Sequence, residues 1–298
     1  MEENKLFNEN SFKVVGRLVS ADVKVGNRQE NGAGYVSVDA LVASVIDGED
    51  NEYPITFFAN EQTKDGKHSK LYDTYAKLGE LIGKKIEVTG SIRENRFFSE
   101  SANQLVSSQQ LSGMWVKGVV ETTADTGTFS LGGFLGRAVQ ERKNKNDEIY
   151  RYDMVIGQSN YKGDNMAMFT VHLNPANVEV VNGVQSLYQV GDTFKVEGSL
   201  KFTVKEETVQ EETGFGKPIT KTYKNKQKNF YVTSGSNVIY DEGKAYDVDI
   251  IKSLKAAYDA KDVELMSAKK EVAKTTAAPA PAPVSAAPQV TKRQASLI

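Results

Sequence analysis

The segments "KKIEVTGSIRENRFF" (84–98) and "DTFKVEGSLKFTVK" (192–205) spell one pattern twice. Each alternates apolar and polar residues, breaks at Gly-Ser, and resumes with an apolar residue, a cationic residue and, soon after, an aromatic. Alternation with period two sends successive side chains to opposite faces, so both segments read as half-buried strands. A glycine inside such a strand marks a bend or a close backbone approach. The same strand with the same interior bend, written twice, calls for two similar β units on one chain. At 298 residues the length suits two domains of roughly 100–200 residues each.

The rest of the chain organises around these two strands. "FKVVGRLV" (12–19), "GYVSVDALVASV" (34–45), "YPITFFA" (53–59), "KKIEVTGSI" (84–92) and "NQLVSS" (103–108) make five strand-like runs. Between the third and fourth, "LYDTYAKLGELIG" (71–83) places Leu71, Tyr75, Leu78 and Ile82 at helical spacing. Five strands with a helix between the third and fourth is the order of an OB fold. A second set follows: "MWVKGVVE" (114–121), "IYRYDMVIG" (149–157), "MAMFTVHL" (166–173), "TFKVEGSLKFTV" (193–204) and "NFYVTSGSNVIY" (229–240), with "ANVEVVNGVQSLYQVG" (176–191) in the connecting place. "FLGRAVQ" (134–140) answers "VVGRLVS" (14–20) as well as 114–121 does, and both stay open as the first strand of this second set.

Residues 247–274 carry Ile250, Ile251, Leu254, Ala257 and Tyr258 along one helical face, expected to pack on the second unit or on another subunit. From 275 the Ala/Pro-rich sequence buries too little surface to order itself. The expectation is a mainly all-β chain: an OB barrel over 1–112, a second over 113–243, a helix over 244–274 and a disordered tail over 275–298.

Composition narrows the chemistry. No cysteine is present and the only histidines are His68 and His172, which leaves no thiolate zinc site, no cysteine nucleophile and little for a histidine metal site or triad. No Gly-x-x-x-x-Gly-Lys-Ser/Thr loop occurs, and "LGGFLGR" (131–137) lacks the strand-turn-helix setting a phosphate loop needs. The expectation is a protein without enzymatic activity, cofactor or metal. No apolar run reaches the roughly 18–20 residues of a membrane span, and "MEENKLFNEN" has no signal-peptide character, so a cytoplasmic location without a membrane partner is expected. The formal net charge is −2. Lys and Arg against Asp and Glu stand at 13 to 17 over 1–112 and 15 to 16 over 113–243, so any surface for a polyanion has to be a local stripe.

"FKVVGRLVSADVKV", "NEYPITFFAN" and "VTGSIRENRFF", in that order, resemble the bacterial and phage single-stranded DNA-binding protein family. The match rests on Gly16, Arg17 and Leu18, on Glu52 and Tyr53, and on Gly90, Ile92, Arg93, Arg96 and Phe97; the second unit repeats only Gly198, Leu200, Lys201 and Phe202. The resemblance implies an OB fold whose function is to coat single-stranded DNA in replication, recombination or repair, in the host cytoplasm if the chain is phage-encoded. These proteins often assemble four OB units, so a homo-oligomer is a further expectation. They typically end in an acidic stretch with a terminal aromatic that recruits replication or recombination proteins. Here the end is "TKRQASLI", basic and aliphatic, so that route is in doubt and the tail is equally open to nucleic acid, another subunit or a cognate partner.

The residues support the same reading by themselves. Single strands expose base faces that stack on aromatics and phosphates that follow cationic grooves. With Val36, Val38, Ala40 and Val42 inward, Tyr35 faces out as a stacking platform; with Ile86, Val88, Gly90 and Ile92 inward, Arg93 faces out toward phosphate. One ring of Phe57/Phe58 and one of Phe97/Phe98 is expected to pack, with Phe57 and Phe97 carried as ligand-facing. Tyr150 and Tyr152 are assigned to the core, Arg151 outward, and His172 to the strand surface. The strongest charge signal is "GFGKPITKTYKNKQKNF" (214–230), where Lys217, Lys221, Lys224, Lys226 and Lys228 alternate with Phe215, Tyr223 and Phe230. This reads as a hairpin that wraps the ligand, or as an edge hairpin protected by lysines. The preceding "KEETVQEET" (205–213) could pair with those lysines. "RAVQERKNKND" (137–147) is expected to be a basic loop. The rival reading is a non-enzymatic scaffold or virion-associated interaction protein on OB-like barrels, since fold alone does not fix function. RNA or oligosaccharide binding on the same surface also stays open.

Overall fold

The computed structural model describes residues 6–28, 32–160, 162–211 and 219–275. The first five strands are β1 (Glu9–Asn27), β2 (Gly34–Ile46), β3 (Glu49–Asn60), β4 (Lys85–Ser99) and β5 (Gln104–Gly118). β1 pairs antiparallel with β2 and with β4, β2 with β3, and β4 with β5. β3 then meets β5 in parallel and closes the barrel. The alternation sets its interior: Val36, Val38, Ala40 and Val42 of β2 and Tyr53, Ile55, Phe57 and Ala59 of β3 are buried. Helix α1 (Lys70–Ala76) and a 3-10 turn (Leu78–Leu81) plug one end through Tyr75 and Leu78. The helix expected to Ile82 ends earlier and leaves Ile82 exposed. The chain tightens after Ala76 and reverses at Gly83, whose φ of 83° is a left-handed conformation that favours glycine.

The second barrel repeats the ladder with β6 (Thr126–Lys143), β7 (Ile149–Ser159), β8 (Met166–Leu173), β9 (Thr193–Glu211) and β10 (Ile219–Gly235), and with α2 (Val178–Leu187) in the place of α1. A parallel contact between β8 and β10 closes it. Of the two candidates for its first strand, 134–140 lies in β6, while Met114–Gly118 continues β5 through positions 112 and 113. The register is offset from the letter match. A side chain at Gly16 would collide with the Ala43 carbonyl oxygen and one at Gly133 with the Gly157 carbonyl oxygen, so Gly133, not Gly136, answers Gly16. The basic segment 137–147 is strand as far as Lys143 rather than a loop.

The repeated Gly-Ser now has a cause. A Cβ on Gly90 would strike the Ser112 carbonyl oxygen and press on the Phe12 ring; one on Gly198 would strike the Tyr231 carbonyl oxygen and press on Phe129. In both barrels the fourth strand bends under the phenylalanine of the first, and only glycine allows that approach.

The barrels share one sheet. β1 and β6 pair antiparallel from Glu9↔Gly132 to Val15↔Thr126, with Phe12 opposite Phe129. A second seam joins β3 to β9 at Asn51↔Thr203. There Asn51 Oδ1 accepts from the Phe202 amide at 2.9 Å, and the Tyr53 hydroxyl donates to the Leu200 carbonyl at 2.9 Å. Helix α3 (Val248–Thr275) packs on the second barrel as expected, Leu254 joining Phe134, Met166 and Tyr246 in a small apolar cluster. It also reaches the first barrel: Arg96 pairs with Asp262 and lies over the Tyr258 ring at 3.8 Å, while the Tyr258 hydroxyl donates to Glu94 at 2.6 Å. The Ala/Pro tail from 276 lies outside the described residues.

Candidate nucleic-acid interface

On the outward face of the first barrel, Tyr35 of β2 and Phe58 of β3 are diagonal neighbours, because Tyr35 pairs with Asn60 and Ser37 with Phe58. Their rings stack at 5.9 Å and 23°. The Arg28 guanidinium lies 5.7 Å from the Phe58 centroid and donates to Asn60 Oδ1 at 3.0 Å. Phe58 is 49% exposed. This is a flat aromatic surface with a cation at its rim, the combination on which bases stack and phosphates follow.

Tyr35 faces outward, as the alternation in β2 predicts. Phe57, expected to face the ligand, is 1% exposed and packs on Tyr75 at 5.1 Å, so it offers no face to a ligand. Phe58 was legible, because alternation from the apolar Ile55 sends Phe57 inward and Phe58 out. Arg28 carried no signal, since its partner Phe58 lies two strands away.

Three further aromatic candidates are also core. Tyr53 is fully buried, its ring 5.3 Å from Phe202; burial pushes its hydroxyl up to about 12. Phe202 sits between Tyr53 and Phe230, and Phe230 meets Phe129 edge-on at 5.7 Å. The β3–β9 seam and the second barrel's interior enclose all three. Phe97 is outward on β4 and partly exposed.

Of the cationic candidates whose side chains are described, most have carboxylate partners. Arg17 pairs with Glu121 at 2.6 Å and also donates to the Gly83 carbonyl. Lys201 pairs with Glu49 at 3.1 Å and Lys226 with Glu52 at 3.2 Å, tying the β9–β10 hairpin to β3 of the first barrel. Arg96 is held by α3 as described. Arg93 is exposed and makes no ion pair among the described residues. Lys228 lies 5.9 Å above the Phe202 ring. Lys221, Tyr223 and Lys224 stand on β10 opposite Val209, Glu207 and Glu206; their side chains, and Lys217 altogether, lie outside the described residues.

The second barrel differs at the matching place. Asp39 on β2 and Asp153 on β7 hold equivalent ladder positions, opposite Thr56 and His172. Asp39 is exposed and binds Lys24 at 3.4 Å, a lysine that also binds Asp22 at 2.9 Å. Asp153 is buried beneath Arg142 (Nε, 2.6 Å), Arg151 (Nε, 2.9 Å) and His172 (Nδ1, 3.0 Å). Desolvation works to raise the Asp153 carboxyl, but the Arg142 hydrogen bond with the charges of Arg151 and His172 holds it below the usual range. His172 is buried rather than on the surface; burial first, then the Arg151 charge, lowers its pKa. Tyr150, assigned to the core, is exposed instead, with Arg151 5.5 Å from its ring. A register shift between Arg142↔Arg151 and Lys143↔Ile149 leaves Tyr150 without a ladder partner on β6, so the alternation is broken there. Among the described residues no cluster of three or more potential metal ligands occurs, and no helix is long and apolar enough to cross a membrane.

Two closed five-stranded barrels, each with a helical plug between its third and fourth strands, define a tandem OB-fold protein. The YorF family model matches residues 8–271, and the chain belongs to that family. A search of curated proteins returns no match. Among solved structures, the wild-type single-stranded DNA-binding protein from Thermus aquaticus is similar at a TM-score of 0.50 and 12% identity, over 80% of this chain and 97% of that one. A deletion mutant of the same protein gives 0.48 and 13%, over 79% and 97%. At such identity the likeness is one of fold.

Proposed function

We infer that the chain binds single-stranded DNA without marked sequence preference, as a coating protein with no chemistry of its own. The observation that carries this is the Tyr35–Phe58 stack with Arg28 at its edge, set on the outward β2–β3 face of an OB barrel. Such a face gives each base a ring to stack on and reads no hydrogen-bond pattern. The OB fold shared with the Thermus aquaticus single-stranded DNA-binding protein supports the reading. The family resemblance in the sequence points to replication, recombination or repair as the setting, to the cytoplasm of a bacterial or phage-infected cell, and to self-assembly or tail-borne contacts with replication proteins.

A second reading, a scaffold built on OB barrels, draws on the carboxylate partners of Arg17, Arg96, Arg151, Lys201 and Lys226. Fluorescence anisotropy with labelled oligo-dT separates the two. Competition with duplex and with poly-U, over a range of salt, tests single-strand and RNA preference together. The binding reading expects affinity that duplex cannot compete away and that falls with salt. No binding at low salt favours the scaffold.

A further inference from the structure

The outward faces of the two barrels carry different chemistry at equivalent positions. On the first, Lys24 meets two carboxylates, Asp22 and Asp39, beside the aromatic stack. On the second, one buried carboxylate, Asp153, serves two arginines. Arg142 and Arg151 stand directly opposite each other across β6 and β7, a pairing that like charges alone would disfavour. Asp153 accepts a hydrogen bond from the Arg142 Nε and forms an ion pair with Arg151, whose Nε lies 2.9 Å away without hydrogen-bond geometry. No described residue accepts a hydrogen bond from the terminal nitrogens of either arginine, and their side chains are 43% and 29% exposed. Two guanidiniums against the one Asp153 carboxylate leave the group net positive whichever form His172 takes.

We propose that Arg142 and Arg151, braced by Asp153, form a phosphate-gripping fork on the second barrel, so that the chain stacks bases on its first barrel and grips backbone on its second. This rests on the single-strand reading above and assigns a site within it. A guanidinium whose Nε edge is fixed by a carboxylate presents its remaining donors in a set direction, which suits bidentate contact with phosphate. Tyr150, exposed beside Arg151, gives the adjoining nucleotide a ring.

The test uses the full chain, labelled oligo-dT and an unlabelled abasic oligonucleotide as competitor, with affinity read across salt. Arg142→Gln and Arg151→Gln should each flatten the slope of log affinity against log salt by about 0.7, the contribution of one phosphate on a single strand, and weaken competition by the abasic strand. Arg142→Lys keeps a charge beside Asp153 but lacks the second edge; it should bind several-fold more weakly while melting at the parent's temperature. A slope unchanged in Arg142→Gln, or full affinity in Arg142→Lys, overturns the fork. If the unsubstituted chain fails to bind oligo-dT, the single-strand reading fails with it; if it binds and only the slopes stay fixed, the fork alone is wrong.

Discussion

Phe12 and Phe129 face each other across the β1–β6 seam, and each ring lies over the glycine of one copy of the repeated strand phrase. The contact that joins the barrels and the contact that bends each fourth strand therefore meet in one pair of side chains. Gly90→Ala and Gly198→Ala should each cost about 1–3 kcal/mol, because the added methyl meets backbone on one side and an enclosed ring on the other. Urea denaturation measures this, and substitution at the exposed Gly118, where a side chain meets open space, is the control.

Phe57 and Phe58 are adjacent in sequence and opposite in consequence. Phe57→Ala empties a filled core and should lower stability by about 3–5 kcal/mol. Phe58→Ala should leave the melting temperature nearly unchanged and weaken oligo-dT binding by about 1–3 kcal/mol, the value of one stacked base. Paired melting and anisotropy measurements decide it; equal DNA affinity in Phe58→Ala removes the platform.

Tyr53→Phe deletes the hydroxyl that satisfies the Leu200 carbonyl inside the seam. The expected cost is about 1–3 kcal/mol of stability, the penalty of a buried acceptor left without a donor, with no change in DNA affinity. A fall in affinity without a fall in stability would show that Tyr53 reaches ligand after all.

The folded pKa of His172 lies below its unfolded value of about 6.5, so the unfolded chain takes up the proton first. Its contribution to stability is fully present above that value and is lost as pH falls below it. Exposed His68 shifts the other way through Asp73, and the solvent around it screens the effect. Urea midpoints should therefore drop between pH 7.5 and pH 5.5. His172→Asn should flatten the drop, whereas an equal drop in that variant would trace it to another group.

Arg96→Ala removes both the ion pair to Asp262 and the stack on Tyr258. The last described turns of α3 should then exchange amide hydrogens faster, with a stability loss of about 1–3 kcal/mol, while the salt slope of DNA binding stays fixed. A reduced slope would instead return Arg96 to the phosphate contacts that the family resemblance implies.

Alternation, the doubled Gly-Ser phrase and the helical spacing at 71–83 and 176–191 were enough to specify two five-stranded barrels, because they depend on neighbours within one strand or helix. The same local rule put Tyr35 outside and Val36, Val38 and Val42 inside. It points Tyr53 inward with Ile55 and Phe57, but it could not show that Tyr53 and Phe202 are sealed against each other by the docking of the two barrels. Nor could it show that Arg96 is taken by Asp262, or Lys226 by Glu52, partners brought together only when distant segments dock. Strand periodicity is a short-range consequence of backbone geometry and is written in the order of residues. Whether a ring or a charge faces water, carboxylate or ligand depends on long-range packing, and that was settled only when the two barrels and α3 closed on one another.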